Sequence, residues 1–132
     1  MRTLAETRAF FENDAFATKL CGITIEEATT AYARCRMPLT EGHLNAMNVA
    51  QGGAVFTLCD TAFGVAANAD GATTVSLGAN ITFVRPGSGA YLVAEARCVA
   101  STRSTCLYHV EVLDEKGKVV AFATVNGFRK RG

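Results

Sequence analysis

The chain has 132 residues, enough to bury a sizeable core as one domain, with a net charge of +1 and 19% charged residues. That balance offers no basic surplus for nucleic acid and no acidic tail. No apolar run reaches the ~18 residues of a membrane span and the N-terminus lacks the basic-then-apolar order of a signal peptide, so a soluble, cytoplasmic protein is expected.

Residues 1–132 read as a single domain in which 1–19 form an N-terminal helical segment. There Leu4, Phe10, Phe11 and Phe16 recur among charges, the pattern of one or two short amphipathic helices that cap the domain. Next, GITIEEA and TAYARCRMPL alternate as the arms of a hairpin turning near Ala28 to Thr30, with Ile23 and Ile25 on one arm and Tyr32 and Met37 on the other. A loop from Thr40 to Val49, rich in Gly, Asn and His, leads into a helix starting near Gly52 and ended by Ala69-Asp70-Gly71.

Four further strands follow: Thr74 to Val84, Tyr91 to Ala100, Cys106 to Leu113, and Val119 to Phe128. Arg85-Pro86-Gly87 breaks the first, and Asp114 to Gly117 makes a hairpin turn between the last two. In the first of these, Val75, Leu77, Ala79, Ile81 and Phe83 face one way, and Thr74, Ser76, Gly78, Asn80 and Thr82 the other. Arg129-Lys130-Arg131 reads as a solvated tail. The five cysteines, Cys21, Cys35, Cys59, Cys98 and Cys106, are odd in number and have neither CxxC spacing nor a histidine cluster nearby. They read as small buried hydrophobes, with no disulfide framework and no metal site.

The helix organises the rest. With successive residues 100° apart, Val55, Leu58, Cys59, Ala62, Val65 and Ala66 form an apolar face, while Gly53, Thr57, Asp60, Thr61, Gly64 and Asn68 form a small, polar stripe. Between Glu41 and Arg85 the only formal charges are Asp60 and Asp70, and Asp70, beside Gly71, belongs to a solvated turn. A surface helix carries Lys, Glu and Arg on its polar side. Small residues around a single acid instead imply close packing by another backbone or a ligand. Gln51-Gly52-Gly53 adds a helix N-terminus with free N–H groups and no obstructing side chains, able to hold an oxyanion. Of the other candidate groups, Cys59 turns onto the core face, His43 reads as an exposed loop residue, and His109 with Glu111 as a surface pair. One nearly apolar helix between a hairpin and a four-strand meander predicts an α+β fold, an antiparallel sheet curled around one long central helix. Its exposed edges and uncovered helix face are both answered by dimerisation.

Asn45, Gln51-Gly52-Gly53, Leu58, Asp60 and Ala62 resemble the hotdog-fold acyl-CoA thioesterases of the PaaI type, whose segment reads roughly N-x-x-G-x-x-H-G-G-x-x-x-x-L-x-D-x-A. VSLGANITFVRP resembles the family's Ser-bearing strand, and the likeness covers nearly the whole chain after about Gly22. Two positions depart from the pattern. Asn48 replaces Gly, which it can do with left-handed backbone. Gln51 replaces His; it can still form hydrogen bonds but carries no proton.

The resemblance implies hydrolysis of an acyl-CoA thioester, with coenzyme A as part of the substrate, no cofactor, and a homodimer that can pair into a homotetramer. It implies Asp60 as general base or nucleophile, Gly52 as the backbone N–H polarising the carbonyl, Asn45 as the group orienting water or carbonyl, and Ser76 as an aid to the attacking water. Gln51, Gly53 and Gly64 would line the substrate, with Arg85 and Arg103 meeting coenzyme A phosphates. Each has a plainer alternative: an acid satisfied by an Arg or Thr, a tight turn, an Asx turn, a strand serine, surface arginines. Gly52 and Asp60 are eight residues apart, about 12 Å along a helix, whereas reacting groups approach within ~3.5 Å. Asp60 of one chain is therefore expected to work with Gly52 and Asn45 of its partner. The rival reading is a non-catalytic acyl-CoA-binding hotdog module, favoured by Gln51; a dehydratase of the same fold would need a His-bearing motif that this helix lacks. Pocket depth is expected to depend on Met47, Phe56, Phe63 and the N-terminal segment.

Overall fold

The computed structural model of the protein describes residues 1–130. α1, Leu4–Phe11, starts at Thr3, which forms a capping box with Glu6. A π-helical turn, Ala15–Leu20, follows, N-capped by the Asp14 carboxylate. The strands are β1 (Thr24–Thr29), β2 (Tyr32–Pro38), β3 (Thr73–Phe83), β4 (Tyr91–Ser101), β5 (Thr105–Asp114) and β6 (Val119–Lys130), with α2 (Gly52–Asn68) between β2 and β3.

These strands make one antiparallel sheet in the order β1-β2-β4-β5-β6-β3. The expected four-strand meander is thus three strands, β4-β5-β6. The chain leaves β2, runs through α2 and enters the far edge, where β3 pairs with β6 and β4 returns beside β2. β3 keeps its other edge open, and Val75, Leu77 and Phe83 on it are exposed.

The predicted apolar face of α2 is buried throughout, together with Phe63 and Ala67. It packs onto a sheet surface that includes the buried Ala33, Ala94, Ala96, Ala121 and Ala123. Such small side chains let a helix seat closely in a curled sheet, the hotdog arrangement. At Gly127 the approach is closest: a Cβ there would lie 2.8 Å from the Phe63 ring. Phe63 itself is T-stacked on Tyr108 with centroids 5.4 Å apart, so it belongs to the core and not to a pocket wall.

The sheet's other face carries charge. Glu26 bridges Arg34 and Arg36 at 2.9 Å each, Arg34 also meets Glu95 at 3.3 Å, and Arg36 lies over the Tyr91 ring. His109 pairs with Glu111 at 3.5 Å on that face. Arg129 is no tail residue: it lies in β6 and bonds the Asp70 carboxylate at 2.9 Å. Arg131 of the expected tail lies outside the described residues. Burial opposes ionisation of Asp70, but the Ala72 N–H and Arg129 hold its carboxyl below the usual range. No helix among the described residues is long and apolar enough to cross a membrane.

Candidate active site

The loop before α2 is fixed by its own side chains. Asn45 Oδ1 accepts the N–H groups of Met47 at 2.9 Å and Val49 at 3.3 Å, an Asx turn that leaves its amide NH₂ without a partner among the described residues. Asn48 has φ +59°, the left-handed backbone that lets it stand where glycine is usual. His43, expected to be exposed, is buried. Its Nδ1 accepts the Thr40 N–H at 3.1 Å, which makes Nε2 the protonated nitrogen that donates to the Cys21 carbonyl at 2.7 Å. Its own carbonyl accepts the Gln51 N–H at 2.9 Å, so this ring ties the end of the π-turn to the start of α2.

Gln51 is the N-cap of α2, and its Oε1 accepts the N–H of Gly53. The Ala54 and Val55 N–H groups bond the Gln51 carbonyl. Gly52 alone of these first N–H groups has no acceptor among the described residues, and it stands at the positive end of the helix. The Phe83 ring rests beside it: a Cβ on Gly52 would lie 3.3 Å from that ring.

The polar stripe of α2 is largely satisfied by its own helix. Thr57 Oγ1 donates to the Gly53 carbonyl at 2.8 Å and Thr61 Oγ1 to the Thr57 carbonyl at 2.7 Å. Asn68 donates to the Gly64 carbonyl at 2.7 Å and accepts the Thr74 N–H at 2.6 Å, closing the helix against β3. Asp60 differs. Half-buried, its carboxylate has no hydrogen bond or ion pair among the described residues. Burial first, and then the negative charge of Asp14, push its carboxyl above the ordinary value. Cys59 next to it is fully buried, and burial pushes its thiol up to about 12, so it is no nucleophile.

The remaining predicted residues fall in three places. A bulge between Ser76 and Gly78 leaves Leu77 unpaired and reverses the alternation of β3. Ser76 opposite Gly127 therefore faces the helix side, as do Ala79 opposite Val125, Ile81 opposite Ala123 and Phe83 opposite Ala121; the expected opposition of Ser76 to those residues does not hold. Gly64 faces α1: a Cβ there would sit 3.9 Å from the Phe11 ring, an ordinary packing distance. Arg85 donates to the Val119 carbonyl at 3.0 Å and lines a cavity of about 380 Å³ with Gly52 and Phe83. Arg103 lines another with Asp70 and Arg129, past the opposite end of α2, so one chain does not bring the two arginines together. Sequence reasoning missed Asp14, Phe11 and Phe83. Their signals were faint: an acid before a short apolar turn, and aromatics that read simply as core.

A six-stranded antiparallel sheet curled around one long helix is the hotdog fold, and here that helix carries a half-buried carboxylate without a partner among the described residues. Residues 47–121 match the model of the thioesterase superfamily. The chain belongs to that family, and is a thioester hydrolase. The branch it resembles is the PaaI type: it is 37% identical over 114 residues to the acyl-coenzyme A thioesterase PaaI of Escherichia coli, covering 86% of this chain and 81% of that protein. The solved PaaI structure from the E. coli phenylacetic acid degradation operon superposes with a TM-score of 0.89 at 32% identity, over 98% of both chains. A Streptococcus pneumoniae thioesterase protein solved with coenzyme A superposes with a TM-score of 0.84 at 27% identity, over 92% of this chain and 95% of that one.

Proposed function

We propose that the protein hydrolyses acyl-CoA thioesters to a free acid and coenzyme A, with Asp60 as the group that drives the attack. The observation that carries this is the state of Asp60: a half-buried carboxylate without a hydrogen bond or cation among the described residues. Desolvation of that kind is unfavourable and is found where the group is used. The Gly52 N–H is the matching electrophilic group, since it has no acceptor among the described residues and the helix dipole favours negative charge beside it.

Two routes use these groups. In one, Asp60 takes a proton from water as the oxygen attacks the thioester carbon, the carbonyl oxygen gains charge against the Gly52 N–H, and the thiolate leaves. In the other, the Asp60 carboxylate attacks, expels the thiolate, and water cleaves the mixed anhydride. Ser76, on the helix side of β3, and the NH₂ of Asn45 are placed in these routes as orienting groups. Gln51 has its oxygen committed to Gly53 and carries no proton, so its part is to hold the helix start. Coenzyme A, which relatives bind, enters as substrate, with Arg85 and Arg103 of different chains proposed at its phosphates.

Two turns of α2 separate Gly52 from Asp60, about 12 Å along the axis, so each site draws Asp60 from one chain and Gly52 with Asn45 from another. The open edge of β3, with Val75, Leu77 and Phe83 exposed on it, supports a dimer in which two copies pair, and two dimers can associate further. The test is thiol release from a panel of acyl-CoAs by the native protein and Asp60→Asn. Turnover that falls roughly 100-fold or more in the variant supports the reading. Acyl-CoA binding without turnover by the native protein makes it the non-catalytic module.

A further inference from the structure

A cavity of about 580 Å³ lies between the π-turn and the first turns of α2. Phe16 and Leu20 reach it from the π-turn, Leu44 from the loop, and Ala54 and Thr57 from α2. Phe16 is 57% and Leu20 75% exposed, an unusual load of bare apolar surface for six residues of chain. Gln51 and Gly53 in its wall flank Gly52, whose N–H the proposed site uses.

Most polar groups around this cavity are already bonded within the fold, and the one left open among the described residues is the Gln51 side-chain NH₂, which is neutral. Thr57 donates to the Gly53 carbonyl, the Gln51 oxygen accepts the Gly53 N–H, and His43 uses both ring nitrogens on Thr40 and the Cys21 carbonyl. None of the lining side chains is an Asp, Glu, Lys or Arg. A carboxylate placed there would lose its water and find no cation, a heavy penalty, whereas a hydrocarbon finds Phe16, Leu20, Leu44 and Ala54.

Building on the thioesterase reading above, we propose that this cavity is the acyl pocket, that it takes an uncharged hydrocarbon acyl group longer than acetyl, and that Phe16 and Leu20 set this preference. The π-turn is then a wall of the site as well as a cap on the fold. The pocket begins beside the helix N-terminus, where the thioester carbonyl is held, and ends under the two side chains.

The test compares acetyl-, hexanoyl- and glutaryl-CoA on the full chain, native and as the Phe16→Ala/Leu20→Ala double variant and Leu20→Arg. Both positions are exposed, so the variants keep the fold, which a thermal melt verifies. The native protein prefers hexanoyl- to glutaryl-CoA, and the double variant lowers the hexanoyl-to-acetyl ratio of kcat/KM roughly tenfold. Leu20→Arg raises turnover of glutaryl-CoA. An unchanged ratio in the double variant, or native turnover of glutaryl-CoA equal to that of hexanoyl-CoA, overturns the assignment. Should the native protein cleave none of the three, the hydrolase reading fails, and calorimetry decides the pocket on the same proteins. Hexanoyl-CoA then binds more tightly than free coenzyme A to the native chain only, if the pocket is as assigned; equal affinities overturn it.

Discussion

The side-chain oxygen of Gln51 accepts the N–H of Gly53, two residues on, and a Cβ placed on Gly53 would lie 2.7 Å from that oxygen. This single contact separates the roles of two adjacent glycines. Gly53 must be glycine so that the cap can close, and its donor is used up by the cap. Gly52 keeps its donor free among the described residues. Where the resembling enzymes usually have His, Gln51 thus supplies a neutral cap, and the open N–H beside it is undisturbed.

Gly53→Ala is therefore expected to displace the Gln51 side chain and lower stability by about 1 kcal/mol, the usual worth of an N-cap. Urea unfolding of the two proteins measures it. Gln51→Ala should cost a similar amount, and the double variant little more than either alone, since both remove one interaction. Additive losses would show that the cap does not connect them.

Asp60 should leave a mark on pH profiles. Burial and Asp14 raise its carboxyl pKa, so the acid limb of kcat/KM is expected above pH 3.8, the ordinary value. Asp14→Asn keeps the cap on the π-turn but removes the charge, and should move that limb to lower pH. Stability follows by linkage: a carboxyl whose folded pKa is raised contributes stability below pH 3.8 that is lost as pH rises through the folded value. Asp60→Asn should therefore match the native protein near pH 3 and exceed it at neutral pH, while turnover collapses.

Gly127 and Phe63 meet where α2 touches β6. Beyond the Phe63 ring, a Cβ on Gly127 would also lie 3.0 Å from the backbone oxygen of Val75, which cannot move aside as a side chain can. Gly127→Ala is expected to cost about 1–3 kcal/mol through overpacking, read as a lower midpoint of unfolding with an unchanged slope.

Much of this was legible in the sequence, because burial periodicity is a local signal. The apolar face of α2 followed from the spacing of Val55, Leu58 and Ala62, and the left-handed Asn48 from its place in a glycine-bearing pattern. Non-local facts were hidden. Nothing in Thr74 to Phe83 says that this strand pairs with β6 and not with β4, since either neighbour satisfies the same alternation. The bulge at Leu77 is equally silent, because an apolar residue there continues the expected pattern, yet it turns Ser76 to the helix side. His43 looked exposed because its partners, the Thr40 N–H and the Cys21 carbonyl, are backbone groups that no side-chain pattern reveals. The same is true of Phe11 over Gly64: the small stripe announced close packing, but not that the chain's own N-terminal helix supplies part of it.

The central claim is that each site takes Asp60 from one chain and the Gly52 N–H from another, and subunit complementation tests it most directly. Gly52→Pro removes that N–H at the first position of α2, where proline is tolerated, and Gly52→Ala serves as the control that keeps the donor while crowding Phe83. Asp60→Asn and Gly52→Pro, each inactive alone, are unfolded together and refolded as mixed dimers. With shared sites, half of the dimers are mixed and each holds one intact site, so about a quarter of the native activity returns. If both groups act from one chain, no mixed dimer contains an intact site, and the mixture stays as inactive as its parents.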